Sequence, residues 1–246
     1  MTVGPVGNDL RYSIVLPAHN EADLLEGCVR DLLKALRERG ERFEIVIVEN
    51  GSSDGTTTIA EGIAQDNAEV QVVSLHTADY GAAVAKGFGL ARGEIVVHFD
   101  VDYVDIGFLG KAVAIIDAGV AGIVVASKRA PGATDRRPLT RRLLTAGFNF
   151  AMRLLLQLRV TDTHGMKVVS RAQCAEAARA CKMTGALYDV ELVLRATRAG
   201  IRVAELPADV SEVRPPRTPV WRRSIESGVG LLRLRVLLWQ ERLQKA

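Results

Sequence analysis

Glu94-Ile-Val-Val-His-Phe-Asp100-Val-Asp102-Tyr-Val-Asp105-Ile106 is the stretch on which the fold turns. Ile95, Val96, Val97 and Phe99 form an apolar run of buried-strand length, entered through the turn pair Arg92-Gly93 and cut off by acids. A buried strand that ends in Asp100, Asp102 and Asp105 puts negative charge at its C-terminal edge, where open α/β sheets bind ligands. Two carboxylates two residues apart can share one hard divalent cation, Mg²⁺ or Mn²⁺, with phosphate oxygens and water completing the shell. The competing reading is an acidic turn that caps a helix beginning near Asp105, whose N-terminus favours negative charge.

Upstream, three apolar strands are spaced so that each strand-plus-helix unit takes about 25–30 residues, the rhythm of a parallel sheet with helices on both faces. Tyr12–Leu16 runs into Pro17-Ala18-His19-Asn20-Glu21, and a helix is predicted over Glu21–Arg39, ended by Gly40. Phe43–Val48 leads into Glu49-Asn50-Gly51-Ser52-Ser53-Asp54-Gly55, where Asp54 or a nearby serine can cap a helix over Thr56–Gln65. Val70–Leu75 is the third strand, and Tyr80-Gly81-Ala82-Ala83 opens a small-residue helix to Ala91. The first turn has no G-x-G-x-x-G, which argues against a dinucleotide enzyme, and a P-loop is also missing.

Downstream of Ile106 the pattern predicts a helix to about Asp117, a strand over Gly122–Ser127, and a Pro-, Gly- and Arg-containing loop over Ala130–Pro138. Leu139–Leu158 is a long helix with apolar residues on more than one face, so it must be buried, partnered or near lipid. A short strand within Val160–Ser170, helices over Ala172–Cys181 and Asp189–Ala199, and a strand over Ile201–Leu206 complete the body. Pro215-Pro216 then precedes a final amphipathic helix, about Val220–Leu243.

The 246 residues, 48% apolar and 25% charged, suit an ordinary globular protein, and a net charge of +3 is too small to imply nucleic acid. Positive charge is nonetheless clustered, at Arg136, Arg137, Arg141 and Arg142 and again at Arg214, Arg217, Arg222, Arg223, Arg233 and Arg235. Such clusters suit phosphates or an anionic membrane surface, or form a solvated face. Cys28, Cys174 and Cys181 have no metal spacing and suit reduced thiols of a cytoplasmic protein. The first residues lack a signal-peptide pattern, and no run reaches the ~20 apolar residues of a spanning helix. The expectation is therefore a cytoplasmic chain whose final helix docks on its own domain or pairs in a homodimer, with peripheral contact at the inner face of a membrane left open.

Tyr12–Glu21, Glu49–Thr56, Tyr80–Ala83 with Gly93, and Asp100-Val-Asp102 together resemble family 2 glycosyltransferases in order and spacing. Arg141, Thr145 and Asn149, then Asp162-Thr-His164-Gly165-Met-Lys167, Glu191, Glu205-Leu-Pro207 and Arg214 are similar to dolichol- or polyprenol-phosphate sugar synthases. The resemblance covers about residues 11–218, after a tail of residues 1–10 and before a C-terminal amphipathic helix at 219–246. It implies an α/β, three-layer Rossmann-like nucleotide-diphospho-sugar transferase fold of the A type, with residues 11–118 holding the nucleotide sugar and 119–218 the acceptor. It also implies an inverting transfer from a UDP- or GDP-linked sugar.

The resemblance assigns Pro17, Asn20, Glu21 and Glu49 to the base and ribose site. Main-chain groups around Gly51 and Gly81 help to hold the nucleotide and sugar. Asp102 is the expected metal ligand, with Asp100 on its ribose or water side. A polyprenyl phosphate acceptor already carries its nucleophilic oxygen and needs cations to grip it. Arg129 and Arg141 are the first candidates for this, then Arg214, with Thr145 beside them. A hydroxyl acceptor would instead need a base, for which His164 is the candidate. Asn50, Asp79, His164 and Val104 depart from the family's usual residues, which leaves donor and acceptor open.

Three other readings compete. Asp100-Val-Asp102 after a strand also resembles a haloacid-dehalogenase-type phosphatase, with Asp100 as the phosphorylated nucleophile. That fold places its motif on an early strand and adds a late acidic pair, neither of which this chain shows. A non-catalytic nucleotide-sugar binder conflicts with the intact Asp100/Asp102 pair. A nucleotidyltransferase lacks its Gly-rich basic loop.

Overall fold

The computed structural model describes residues 10–134, 138–208 and 220–244, the side chains of 220–225 excepted. The first half alternates strands and helices: β1 (Tyr12–Ala18), α1 (Leu25–Glu38), β2 (Phe43–Asn50), α2 (Thr56–Asp66), β3 (Val70–Leu75), α3 (Tyr80–Leu90), β4 (Ile95–His98) and α4 (Ile106–Asp117). The second half adds β5 (Ile123–Ser127), α5 (Leu139–Leu156), β6 (Lys167–Ser170), α6 (Arg171–Ala180), α7 (Leu187–Arg198), β7 (Val203–Pro207) and α8 (Val220–Leu243).

One seven-stranded sheet runs in the order β3-β2-β1-β4-β6-β5-β7, and β6 alone is antiparallel to its neighbours. The strand order reverses between β1 and β4, which are parallel and paired from Tyr12–Ile95 to Val15–His98. Such a reversal opens a crevice at the carboxyl ends of the two strands, where open α/β sheets bind their ligands.

Both faces of the sheet are covered. Ile14 and Leu16 point to the face of α1, α2 and α4, sharing a core with Leu32, Ile45, Val97 and Leu109. Val15 and Val96, the alternate residues of the same strands, pack under Phe88 of α3. Beyond α3 that second face continues through α5, α6, α7 and α8, where Met152, Cys174, Tyr188, Leu231 and Leu234 share one apolar cluster. The thiols of Cys28 and Cys174 are free and pushed up to about 12 by burial, so both stay protonated and inert.

Element boundaries depart from the sequence expectation in places that matter. The first helix starts at Leu25 instead of Glu21, because Asn20 takes a left-handed φ of 54° and residues 22–24 form a turn. The long helix ends at Leu156, capped by Gln157 at φ 58°. Its apolar faces are not all covered: Asn149, Met152 and Leu156 face the core while Leu143, Phe150 and Leu154 are exposed.

The start of β4 is held by one buried carboxylate. Glu44, 2% exposed, accepts from the Ser13 hydroxyl (2.6 Å), the Arg92 main-chain N–H (2.7 Å) and the Arg92 side chain (2.8 Å). Burial alone would raise its pKa, but the Ser13 and Arg92 hydrogen bonds outweigh it and the group is lowered. A carboxyl lowered in the folded state contributes stability above its unfolded pKa of ~4.3, and that contribution disappears as pH falls through the folded value. Urea melts of Glu44→Gln are therefore expected to fall about 1–3 kcal/mol below the parent at pH 7, with the gap closing under acid. A gap that stays constant with pH would remove the charged hydrogen bonds as its cause.

Candidate active site

The crevice at the β1/β4 reversal is framed by two loops that are stitched together. The left-handed turn at Asn20 aims its side-chain oxygen at the Ser53 N–H (2.9 Å), while the Ser52 hydroxyl accepts from the Asn20 N–H (3.0 Å). Thr56 Oγ1 accepts from the Glu21 N–H (2.8 Å), and Asp54 accepts from Thr56 N (3.0 Å), although the N-cap position of α2 is Gly55 and not Asp54 or a serine as expected. Glu49, 3% exposed, accepts from Ser52 N (2.6 Å). Gly51 has φ 62°, and a Cβ there would lie 2.9 Å from Ala78 N, so only glycine fits where this loop crosses the next. The loop after β2 is thus a preset shape.

A cleft of about 300 Å³ opens above these loops. Four of the residues expected from sequence line it: Pro17, Glu21, Asp100 and Asp102. His19, Asn50, Ala78, Tyr80 and Val101 line it too, and none of these five is among the site residues expected from sequence. The His19 ring nitrogen Nδ1 sits 2.7 Å from the Asn50 carbonyl, which ties β1's end to β2's. The Asn50 side chain accepts from Asp79 N (2.8 Å). Asn20, Glu49 and Gly51 stand behind this wall as its supports.

Gly81 sits in the first turn of α3 and is packed away from the cleft. A Cβ on it would come within 2.6 Å of the Gly185 backbone, and the capping carboxylate of Asp79 accepts from Ala82 N and Gly185 N. This close approach of α3 to the 184–185 turn requires a glycine whatever the ligand does.

The three acids after β4 separate in role. Asp105 is the N-cap of α4, accepting from Phe108 N at 2.9 Å, so the helix-cap reading holds for this acid. Asp102 is exposed and reaches into the cleft. Asp100 keeps about a third of its side chain in contact with solvent, yet its surroundings desolvate it and push its pKa up to about 6. Lys167 opposes that rise, and Asp189 and Asp102 add to it.

Beneath Asp100 lies a closed ring of buried polar groups. The Lys167 ammonium, 0% exposed, lies 2.9 Å from Asp189 Oδ1 and donates to the Gly165 carbonyl (2.8 Å); its third neighbour is His98 Nδ1 at 3.4 Å. His98 Nε2 is 3.3 Å from the Tyr80 hydroxyl, which donates to Asp189 Oδ2 at 3.2 Å. With Nδ1 accepting from Lys167, Nε2 carries the proton and donates to Tyr80. Burial, assisted by Lys167, lowers His98 to about 3, so the imidazole is neutral. The ring joins β4, β6, α3 and α7, and His98 Nε2 stands 3.8 Å from Asp100 Oδ1.

The acceptor-side residues occupy the other half. Arg129 is exposed just after β5, and its N–H donates to Ser127 Oγ (3.1 Å). Arg141 and Thr145 are half-buried one turn apart on α5, and the Thr145 hydroxyl donates to the Arg141 carbonyl (2.9 Å). Asn149 donates to the Thr161 carbonyl (2.5 Å). Glu205 clamps the same loop through Thr161 N (2.8 Å) and Asp162 N (3.1 Å). Glu191 accepts from Lys182 N and Met183 N, so it too shapes a loop.

His164 lies edge-on to Phe148, with ring centroids 5.6 Å apart, and burial lowers its pKa despite Asp189 and Asp162, leaving it neutral. None of Arg129, Arg141, Thr145 or His164 lines the cleft. Arg214 lies outside the described residues.

The donor set suits a hard cation. Among the described residues no group of three or more His, Cys, Asp or Glu side chains is arranged to hold a metal. Asp102 and Asp100 alone would therefore supply two carboxylate ligands and leave the other positions to water and phosphate, as Mg²⁺ and Mn²⁺ accept. Desolvation, with the charges of Asp189 and Asp102 adding to it, disfavours the ionised form of Asp100, and a cation bound between the two acids would offset this.

Comparison with known proteins fits this geometry. The chain is 30% identical over 231 residues to the glycosyltransferase AglD of Haloferax volcanii, covering 91% of this chain and 37% of that protein. It is 24% identical over 247 residues to the dolichyl-phosphate beta-glucosyltransferase of Dictyostelium discoideum, covering 94% of this chain and 75% of the relative. The fold matches glucosyl-3-phosphoglycerate synthase from Mycobacterium tuberculosis, solved with UDP, at a TM-score of 0.63 and 22% identity over 92% of this chain and 80% of that one. It matches the Pyrobaculum calidifontis mannosyltransferase PcManGT, solved with GDP-Man and Mn²⁺, at 0.58 and 21% over 87% and 60%. The sequence pattern of glycosyl transferase family 2 extends over residues 13–176, two thirds of the chain, so the protein belongs to glycosyl transferase family 2.

Proposed function

We propose that the chain transfers a hexose, with inversion, from a UDP- or GDP-linked donor to a polyprenyl or dolichyl phosphate, using Mg²⁺ or Mn²⁺. The observation that carries this reading is the cleft at the ends of β1, β2 and β4, with Asp100 and Asp102 on its floor. Asp102 and Asp100 would hold the cation, which when bound neutralises charge developing on the diphosphate leaving group. Pro17, His19 and Glu21 would shape the nucleotide side, and Tyr80 would face the donor from α3.

Two dolichyl-phosphate beta-glucosyltransferases, at 24% and 26% identity, support the lipid-phosphate acceptor. A phosphate oxygen attacks the anomeric carbon in line without a strong base, and Arg141 and Arg129 would grip it through their guanidinium forks. Such an acceptor would put the reaction at a membrane surface. Metal-dependent transfer to a short polyprenyl phosphate, assayed with UDP- and GDP-hexoses, tests the reading directly. In that assay Arg141→Ala is expected to raise the acceptor KM about tenfold or more at nearly constant donor KM, and His164→Ala to change kcat less than that. An unchanged acceptor KM together with a kcat loss of ~10² in His164→Ala would point instead to a hydroxyl acceptor with His164 as base.

A further inference from the structure

Ten of the eleven large apolar side chains exposed among the described residues lie on two helices, α5 and α8; Val120 is the other. On α5 they are Leu139, Leu143, Leu144, Phe150 and Leu154. On α8 they are Val229, Leu232, Val236, Trp239 and Leu243, spaced three and four apart so that they form one stripe. The opposite side of α8, at Leu231, Leu234 and Leu238, is buried in the core. The two helices are fixed to each other, with Arg235 donating to the Leu155 carbonyl (2.7 Å) and Leu155 and Leu237 packed on one cluster. The exposed apolar surface therefore spans a rigid pair of helices, and a soluble monomer rarely leaves that much exposed without a partner.

The exposed charge around this surface is predominantly positive. α5 contains no acid, and its Arg142 and Arg153 are exposed beside the apolar residues. On α8, Arg233 and Arg242 flank the stripe. Of that helix's two acids, Glu241 turns inward to Arg195 (3.0 Å) and Lys182 (2.8 Å), and Glu226, in the first half of the helix, is exposed. Burial lowers the pKa of Arg198, and the nearby charges of Arg242, Arg235 and Arg195 add to that shift.

We infer that α5 and α8 form one docking face that lies in the headgroup region of an anionic lipid bilayer, with the leucines, Phe150 and Trp239 in the acyl boundary and the arginines at the phosphates. Long basic side chains beside an apolar stripe, with an aromatic among it, suit that interface. The helices lie on the bilayer, since among the described residues none is long and apolar enough to cross it. A second copy of the chain suits the face less well, because a two-fold contact would bring the arginine flanks of one copy against those of the other. This inference is independent of the donor and of the acceptor.

Vesicle flotation of the full chain tests it without any activity assay. The probes are vesicles of phosphatidylcholine alone and of phosphatidylcholine with about one third phosphatidylglycerol. Flotation is expected with the anionic vesicles, weaker by about tenfold at ~0.5 M salt, and low with phosphatidylcholine alone. The doubles Phe150→Glu/Leu154→Glu and Leu232→Glu/Trp239→Glu are each expected to cut partitioning at least about tenfold while melting within ~2 °C of the parent, since all four side chains are exposed. Absence of flotation with anionic vesicles, or full flotation by both doubles, overturns the inference. A lipid-free dimer that both doubles convert to monomer assigns the face to a second copy and overturns it equally.

Discussion

Asp102→Ala is expected to lower sugar transfer by about 10³-fold or more while leaving the fold intact. The two halves of that expectation come from different observations. Asp102 is exposed, and among the described residues its carboxylate makes no hydrogen bond or ion pair, so truncation leaves no buried orphan and removes no strut. Its carboxylate is nevertheless one of only two acids that reach the cleft after β4, because Asp105 is spent on the N–H of Phe108. On the proposed reading the cation would have two protein ligands, and losing one would leave its other positions to water and phosphate and would cost the leaving group most of its charge compensation. The measurement is kcat/KM for transfer at saturating Mn²⁺, beside a melting curve. A variant that keeps more than about a tenth of the parent activity would sink the role given to Asp102. One that unfolds would show that the acid has a structural partner.

How far such a site can be read from sequence depends on the range of its contacts. The parallel rhythm of β1 to β4 follows from apolar runs and turns, and the acids after Phe99 are visible because the run stops at them. Asn20, Glu49, Ser52 and Thr56 belong to two short loops whose residue types announce caps and turns, and their mutual bonds realise that chemistry. The start of α1 was misplaced for the same reason. Glu21 has the composition of a helix start, but the left-handed Asn20 and the bond from Glu21 N to Thr56 divert the chain until Leu25.

The buried ring was not legible. Tyr80 and Asp189 are 109 positions apart and Lys167 and His98 are 69 apart, and no local period marks residues that meet only through the sheet order. One trace was present: Lys167 opens a strand that continues as Val168, Val169 and Ser170, and a lysine buried there needs a partner. In sequence α8 was legible as an amphipathic helix and α5 as one apolar on more than one face, but which apolar residues the core would take could only come from packing.

Lys167→Met is expected to destabilise the protein by roughly 3–5 kcal/mol, because it leaves Asp189 buried without its cation. In a domain of this size that corresponds to a fall of roughly 10 °C in melting temperature. The pair itself contributes less than this loss suggests, since desolvating two charges offsets much of their attraction; the cost lies in stranding one of them. Lys167→Met/Asp189→Asn is therefore expected to recover part of the loss, with a coupling of about 1–3 kcal/mol between the two sites. Recovery would be incomplete, because the Gly165 carbonyl and His98 Nδ1 also lose their donor. Activity should fall further than stability alone explains. Tyr80 lines the cleft and His98 stands 3.8 Å from Asp100, so loosening the ring loosens the floor on which the donor rests. Additive effects of the two substitutions, or a single variant that melts within ~2 °C of the parent, would mean that the ammonium finds water in place of Asp189 and that the ring does not hold the site together.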